Sequence, residues 1–224
     1  MILILFYGFL VISYCQECTT TIKGIFSKQI YEFERSINQI RNEVAQARQQ
    51  NHLGQFEYAA NMQITTWSIG LSRGAQNCAE RCPDSLSTCK NLKGDFGVLF
   101  YSRMVQSSGV EWNPQEIVKK WMQDSQNAEQ LLVATISQFG CGRAIKKSVD
   151  KYMEYVVCFF DQAPIDGKTP YIVANEKTIA KACRFGRSNQ YSGLCASSYN
   201  KMLIMNPEHS TRIFESLDQQ QQKQ

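Results

Sequence analysis

Cysteine is the residue that most constrains how this chain can fold. The 224-residue sequence contains nine cysteines: Cys15, Cys18, Cys78, Cys82, Cys89, Cys141, Cys158, Cys183 and Cys195. A cut after Cys15 would leave eight, an even number that could form four disulfides in an oxidising compartment. A zinc cluster is the competing interpretation, but His52 and His209 are the only histidines in the sequence that could supply nitrogen ligands. The cysteine pattern therefore predicts a structure held together by disulfides.

The amino-terminal segment supports export of the chain. Residues from Ile2 to Tyr14 are almost all apolar or aromatic, but the run is shorter than the roughly 20 residues that a membrane-spanning helix needs. Its length is typical of the apolar part of a signal peptide, and Ser13 and Cys15 could be accepted near a cleavage site. A buried strand or helix is the alternative, because no Lys or Arg precedes the run. We predict that residues 1–15 form a signal peptide and that the mature protein is secreted, extracellular and without a transmembrane anchor.

Length and charge bound the fold and the class of partner. The residues left after processing suffice for one hydrophobic core with an appendage. The net charge of +4 is spread along the chain, whereas a nucleic-acid-binding protein concentrates Lys and Arg on one face, so no nucleic acid is expected as a partner. The small basic cluster of Arg143, Lys146 and Lys147 is typical of a solvated surface. The glutamine-rich end, 219–224, has the composition of a disordered tail.

Three helices are predicted from apolar spacing and capping signals. The first carries apolar residues three and four positions apart, which places them on one helical stripe: Ile30, Phe33, Ile37, Ile40, Val44 and Ala47. A second stripe comprises Trp67, Leu71, Ala75, Cys78 and Cys82, and it ends at Pro83. The third helix is expected to have Asn113 as its N-cap, Pro114 in the first position and Glu116 as the capping-box acid.

The second half of the chain favours strands. Residues 130–139 are apolar and compatible with a strand, and residues 155–160 form a run of β-branched and aromatic side chains that predicts a buried strand. A disulfide between Cys141 and Cys158 would tie two such strands into an antiparallel pair. Helices flanking this pair make the fold α+β. Cys183 and Cys195 enclose a Gly-, Ser- and Asn-containing loop, which predicts a small disulfide-closed appendage.

Several short motifs occur together in an order and spacing typical of one family. They are Asn38, Arg41 and Val44-Ala45 in the first helix; Ala59-Ala60-Asn61-Met62 with Trp67, Ala75-Gln76 and 79–82 for the second; then Gly140-Cys141-Gly142, 155–158 and Pro170-Tyr171. Together they resemble the CAP superfamily, or SCP domain, which includes cysteine-rich secretory, insect antigen 5 and plant pathogenesis-related proteins. Residues 59–62 and Gly193-Leu194-Cys195 are most similar to the secreted venom-allergen-like proteins of nematodes. The resemblance implies a three-layer α-β-α sandwich.

The resemblance also implies a division of the chain after the signal peptide. The segments are an N-terminal segment at 16–27, the CAP domain at 28–171, a cysteine-bearing hinge-like extension at 172–195 and a C-terminal tail at 196–224. It further suggests that Cys18 reaches the region between Cys82 and Cys89. The pairing among Cys18, Cys78, Cys82 and Cys89 stays open, because these four residues allow three arrangements.

Comparison with the family identifies four positions equivalent to its central cleft. The cleft of the family often holds two histidines and two glutamates that can bind a divalent metal. The corresponding residues here are Ile37, Asn127, Asp95 and Asp124, so both imidazoles are replaced and both acids are one methylene shorter. Two carboxylates alone suit at most a weak site for a hard cation. We therefore expect no metal and no cofactor; the ordinary interpretation places Asp95 in a glycine-flanked turn and Asp124 near a helix end.

Two hypotheses about function follow from these residues. The first is a secreted, non-catalytic CAP-type binding or effector protein, whose partner is an extracellular protein or a lipid or sterol. The alternative is a metal- or carboxylate-assisted hydrolase that uses Asp95 and Asp124. Catalysis by a thiol or by a serine would need a histidine base. Neither His52 nor His209 lies in a sequence context that suits this role, so the binding hypothesis is favoured.

Overall fold

The structure of the chain is a computed structural model that describes residues 20–51, 54–83, 96–109, 112–147 and 150–197. The predicted signal peptide, both histidines, Asp95 and the tail beyond Ser197 lie outside these ranges, as do Cys15, Cys18 and Cys89. The helices in the described part of the chain are too short or too polar to cross a lipid bilayer.

Helices and strands alternate along the first two thirds of the chain. The helices are α1 (Ser27–Ala45), α2 (Ile69–Ala79), α3 (Pro114–Gln123) and α4 (Ser125–Leu132). The longer strands are β6 (Gly97–Val105), β7 (Gln138–Lys147) and β8 (Tyr152–Phe160). The shorter strands are β1 (Thr20–Lys23), β2 (Gln50–Asn51), β3 (Gly54–Gln55), β4 (Tyr58–Ala59), β5 (Thr66–Trp67) and β9 (Val173–Ala174), and a 3-10 helix follows at Glu176–Thr178.

A five-stranded sheet forms the middle of the molecule, in the order β1-β7-β8-β6 with β5 also paired to β7. β7 and β8 are an antiparallel pair, and β6 adds to the far edge of β8 in antiparallel register. The other edge of β7 is shared, because β1 pairs with its second half and β5 pairs with Gln138 and Phe139. The sheet is larger than the antiparallel pair that the sequence predicts. It also contains one parallel contact, between β5 and β7.

One face of the sheet is covered by α2, and two glycines make this possible. A Cβ atom added to Gly140 would lie 2.2 Å from the backbone nitrogen of Ser72, and one added to Gly142 would lie 2.3 Å from Cα of Gln76. Neither position can carry a side chain, because the helix backbone occupies that space. Cys141 stands between the two glycines and points to the opposite face, since alternate strand residues face opposite sides of a sheet.

The opposite face carries α1, α3 and α4 and the larger hydrophobic core. Its centre is aromatic: Phe33 lies 5.8 Å from Trp121 and 6.2 Å from Phe139, measured between ring centroids. Phe33, Phe139 and Trp121 are almost fully buried. The helix on one face, the sheet and the three helices on the other face make up the predicted three-layer α-β-α sandwich.

Both disulfides predicted by residue number are present. Cys141 and Cys158 are direct partners in the β7–β8 register and form a bridge, and Cys183 and Cys195 form a second bridge. Cys78 and Cys82 are also disulfide-bonded. The cysteines of the described residues are therefore all oxidised, as the sequence pattern predicts.

The Asn38 and Arg41 motif in α1 holds two other parts of the chain in place. The Asn38 amide donates to the backbone oxygen of Thr65 at 2.8 Å and accepts from the Thr65 backbone N–H at 2.8 Å. The fully buried Arg41 guanidinium donates to the backbone oxygens of Gln63, Leu131 and Val133. Two of these oxygens lie at the C-terminal end of α4, where carbonyl groups lack partners within the helix. The family motif is thus a structural clamp.

Three local predictions need correction. Neither residues 59–62 nor Trp67 belongs to the second helix: Ala59 lies in β4, Trp67 lies in β5, and α2 begins only after Ser68, whose hydroxyl oxygen accepts from the Leu71 N–H at 3.5 Å. The helix also ends at Ala79, before Cys82. Residues 130–132 end α4, and the strand begins only at Gln138. Asn113 caps α3 as predicted, but Glu116 pairs with Arg103 at 3.6 Å and does not complete a capping box.

The segment closed by the Cys183–Cys195 bridge is attached to the main domain by its backbone. The Cys195 N–H donates to the oxygen of Met62 at 2.7 Å, and the Ile64 N–H donates to the oxygen of Cys195 at 2.8 Å. Asn42 of α1 accepts from the Gly193 N–H at 2.8 Å through its side-chain oxygen. The predicted appendage is therefore closed by its disulfide and bonded to the domain.

Candidate functional site

Asp124 and Asn127, two of the residues equivalent to the family cleft, do not share the environment of Ile37. Ile37 is 0% exposed and packs in the main core, whereas Asp124 is exposed and Asn127 is partly exposed. Asp124 is the N-cap of α4, and one of its carboxylate oxygens accepts from the Asn127 backbone N–H at 2.9 Å. This agrees with the ordinary interpretation of Asp124 near a helix end. Asp95 lies outside the described residues, so a grouping of all four stays a prediction.

An open groove lies between α1 and α3 on the described surface. Its volume is about 780 Å³, within the range of typical ligand sites. Residues of α1 line one wall, residues of α3 line the other, and the segment after α1 closes one part of the rim: Ser36, Gln39, Ile40, Glu43, Gln49, Gln50, Gln115, Val118, Lys119, Met122 and Gln123. We call this the α1–α3 groove.

The polar groups of the groove are arranged by Glu43. Its carboxylate accepts from the amide nitrogen of Gln39 at 3.0 Å and from the amide nitrogen of Gln49. Because each amide turns its nitrogen toward Glu43, each turns its oxygen away and can offer it to a ligand. The wall formed by α1 therefore presents fixed hydrogen-bond acceptors and one negative charge.

The α3 side of the groove differs in charge from the α1 side. Lys119 is exposed on this side, and Gln115 and Gln123 lie one helical turn to either side of it. Val118 and Met122 lie toward the floor, where they meet Ile40 of α1. The groove thus combines an apolar floor with amide groups, one carboxylate and one ammonium group.

The lining of the groove suits binding and offers little for catalysis. Ser36 is the hydroxyl residue of the lining, and its Oγ donates to the backbone oxygen of Glu32 at 2.6 Å. A nucleophilic serine needs a base to accept its proton, and those lining residues that the structure describes include no histidine. Among the described residues, no group of three or more His, Cys, Asp or Glu side chains could hold a metal ion.

A buried ionic network lies on the same face of the sheet as α3. Glu154 of β8 is 0% exposed and pairs with Arg143 of β7 at 2.6 Å and with Arg103 of β6 at 2.6 Å. The Arg143 guanidinium carbon also lies 5.4 Å from the Trp112 ring centroid, a distance typical of a cation–π contact. The sequence predicts Arg143 on a solvated surface with Lys146 and Lys147; instead it is buried, and Glu154 joins the three strands by pairing with both arginines.

The sequence alone did not identify the groove residues, because the groove forms only where two helices lie side by side. Gln115, Lys119 and Gln123 recur every four residues on α3, but such a polar stripe is typical of any solvated helix face. Ser36, Gln39 and Glu43 form a similar stripe on α1. Only the contact between the two helices turns these stripes into the walls of one cavity.

Comparison with known proteins agrees with this architecture. The model of the cysteine-rich secretory protein family matches residues 35–160. Scoloptoxin SSD43 from Scolopendra dehaani is 26% identical over 199 residues, which cover 80% of this chain and 89% of the toxin.

Solved structures of nematode venom allergen-like and ASP proteins share the fold. The structure of BmVAL-1 superposes with a TM-score of 0.64 at 18% identity, covering 78% of this chain and 96% of that protein. The structure of NaASP2 with Zn²⁺ gives a TM-score of 0.58 at 18% identity, covering 77% and 97% respectively. The family match, the order of elements and the shared sandwich lead to one conclusion: this chain belongs to the CAP family of cysteine-rich secretory proteins.

Proposed function

We propose that this protein acts outside the cell as a non-catalytic CAP-type binding protein whose partner occupies the α1–α3 groove. The observation that carries the proposal is the groove itself, with its apolar floor and its polar walls. The partner is a lipid or a segment of an extracellular protein, since both combine apolar and polar groups. Each can place apolar groups on Ile40, Val118 and Met122 and polar groups on the amides above them.

The bonding of the cysteines supports an extracellular location. Disulfides persist in oxidising compartments and are rare in the cytosol. Here they link neighbouring strands through Cys141 and Cys158 and close the appendage through Cys183 and Cys195. The predicted signal peptide at 1–15 is part of the same proposal. Sequencing the amino terminus of the protein collected from culture medium tests it: a first residue at or shortly after position 16 is expected.

The chemistry of the groove favours an anionic amphiphile among lipids. An acyl chain would remove apolar floor area from water, which is favourable by roughly 25 cal/mol for each Å². A carboxylate or phosphate head group would meet the ammonium group of Lys119 and avoid the carboxylate of Glu43 on the other wall. A sterol, which has one hydroxyl and no charge, would leave Lys119 without a counter-charge.

The zinc present in the NaASP2 structure does not transfer to the described residues of this chain. Where the family places a histidine, Ile37 offers no ligand atom and is enclosed by the core. The Asp124 carboxylate is already engaged in capping α4, and the Asn127 amide is a poor ligand for zinc. These residues do not fit a zinc site, and no step of the proposed function uses a metal.

The hydrolase alternative gains no support from the described residues. Asp124 is exposed, and its carboxylate caps α4 by accepting from the Asn127 backbone N–H. Its predicted companion, Asp95, lies outside the described ranges. Binding is therefore the function that the geometry supports best.

A pair of neighbouring lysines offers a matched experiment. Lys119 lines the groove and Lys120 does not, although both are exposed on α3. Fluorescence titration with a dansyl-labelled undecanoic acid should show binding that weakens at least about tenfold in Lys119→Glu and changes less than about twofold in Lys120→Glu. A second pair, Ile40→Asp in the groove and Ile165→Asp on the exposed surface, should separate in the same way.

The protein alternative is tested in the same material. Native mass spectrometry of the protein from culture medium should show a bound lipid or a bound polypeptide, and Ile40→Asp should release it while Ile165→Asp should retain it. Equal binding of every ligand by wild-type protein and by both groove variants would place the site elsewhere and overturn the proposal.

A further inference from the structure

A second cavity lies away from the α1–α3 groove, between α4 and the segments that flank β4 and β9. Its volume is about 320 Å³. The apolar part of its lining consists of Phe56, Ala128, Leu132, Pro170, Tyr171 and Val173. We call this cavity the notch. It shares no lining residue with the α1–α3 groove, so the two sites can be changed independently.

One large aliphatic side chain of the notch lining is exposed: Val173 is 45% exposed. The neighbouring Ile172 is also exposed, but it is not a lining residue, because alternate residues of an extended segment face opposite sides. An exposed apolar side chain next to an apolar cavity enlarges the apolar surface that a partner can cover. Val173 and the notch therefore form one apolar surface.

The backbone that presents Val173 is held on both sides. The Ala134 N–H donates to the oxygen of Pro170 at 2.7 Å, and the Asn61 side-chain oxygen accepts from the Ile172 N–H at 2.8 Å. The Ala60 N–H donates to the oxygen of Ile172 at 2.9 Å, and the next residue pairs with β4. A partner would therefore meet a preformed surface and would lose little free energy to its ordering.

The charge of the notch selects the sign of the partner. Glu57 is exposed and Glu129 is partly exposed, and these are the charged residues of the lining. The chain as a whole has a net charge of +4, so this negative site contrasts with the rest of the protein. Two carboxylates beside an apolar cavity attract a cation next to an apolar group and repel an anionic lipid.

We propose that the notch is a docking site for a protein partner that presents an aliphatic or aromatic side chain next to a Lys or Arg. The apolar side chain enters the notch and covers Val173. The neighbouring cation lies between Glu57 and Glu129. The small volume suits one side chain and is less suited to a long acyl chain, which distinguishes this site from the α1–α3 groove.

A displayed library of random heptapeptides, selected on the immobilised full-length secreted protein, tests the proposal. Enriched peptides should contain an apolar residue next to Lys or Arg. Their affinity, measured by fluorescence polarisation, should fall at least about tenfold in Val173→Ser, because this lining side chain is exposed and its loss removes contact area without disturbing the core. Met104→Ser, at a position 66% exposed on β6, is the matched control and should change affinity less than about twofold.

Charge variants test the second half of the proposal. The double variant Glu57→Gln and Glu129→Gln should weaken the same peptides and reduce the salt dependence of binding. Asp150→Asn, at an exposed carboxylate between β7 and β8, should do neither. Peptides without the basic and apolar pair, peptides that bind Val173→Ser as tightly as wild type, or a selection that yields no notch-dependent binder would each overturn the proposal. Lys119→Glu should leave peptide binding unchanged, so failure here is distinguishable from failure of the groove.

Discussion

Replacement of Arg41 is the change that tests the structural reasoning most severely. The guanidinium is fully buried and makes four hydrogen bonds to three backbone oxygens. Burial lowers its pKa to about 9, an effect that the negative charge of Asp161 partly opposes, so the group remains protonated at neutral pH. Arg41→Met keeps much of the apolar stem and removes the charge and all four donors.

The expected loss of unfolding free energy follows from the three backbone oxygens that would lose their donor. A buried carbonyl oxygen without a partner costs about 1–3 kcal/mol, and relief of the buried charge offsets part of the sum. We expect Arg41→Met to lower the free energy of unfolding by about 3–5 kcal/mol, the lower part of the summed penalties of three such oxygens. The stability of Arg41→Lys should lie between that of the wild type and that of Arg41→Met, because lysine keeps the charge but cannot reproduce the planar fork of donors.

Urea unfolding followed by circular dichroism measures this difference. Arg35→Met is the matched control, because Arg35 is exposed on the same helix, and its effect should stay within about 0.5 kcal/mol. A loss below about 1 kcal/mol in Arg41→Met would show that the guanidinium is not the clamp between α1 and the end of α4. A similar loss in both variants would instead indicate a general requirement for positive charge on α1.

Three further changes have expected outcomes. Gly140→Ala should destabilise the protein by about 1–3 kcal/mol or more in thermal unfolding, while Gly109→Ala, where an added Cβ meets no atom within 4 Å, should be tolerated. Cys141→Ser with Cys158→Ser should lower stability by about 2–4 kcal/mol and remove the bridge between β7 and β8 from a non-reducing peptide map, while the Cys183–Cys195 bridge remains. Burial raises the pKa of Glu34, although a backbone hydrogen bond that it accepts partly opposes this. The folded state therefore holds the proton more tightly, and stability falls as the pH rises through the folded pKa. Glu34→Gln should stabilise the protein near neutral pH and have no effect well below a pH of about 4, the ordinary range of glutamate. An equal effect at both pH values would contradict this reasoning.

Features encoded by neighbouring residues could be predicted from the sequence. The cap of α3 follows from Asn113 and Pro114, because the side chain and the ring act within one helical turn. The Cys141–Cys158 bridge follows from two strand-like runs that each contain one cysteine. The family motifs predicted the three-layer sandwich, because they occur in the order typical of the family. Their physical roles were not evident before the structure.

Features that depend on distant residues could not be predicted. Trp67 continues the apolar spacing of α2, but its backbone pairs with β7, a strand far along the chain. Arg143 looks like a surface residue beside Lys146 and Lys147, and only the approach of Glu154 from β8 makes its burial favourable. The same limit applies to the α1–α3 groove and to the notch, each of which is formed by segments separated in sequence.

Hydrogen exchange, measured on protein from culture medium before and after extraction of bound molecules with organic solvent, tests the central claim of a binding groove most directly. Extraction should raise the exchange rates of backbone amides in residues 36–43 of α1 and 115–123 of α3, and it should leave β7 and β8 unchanged. If extraction releases bound material but changes exchange only outside these two helices, the α1–α3 groove is not the binding site.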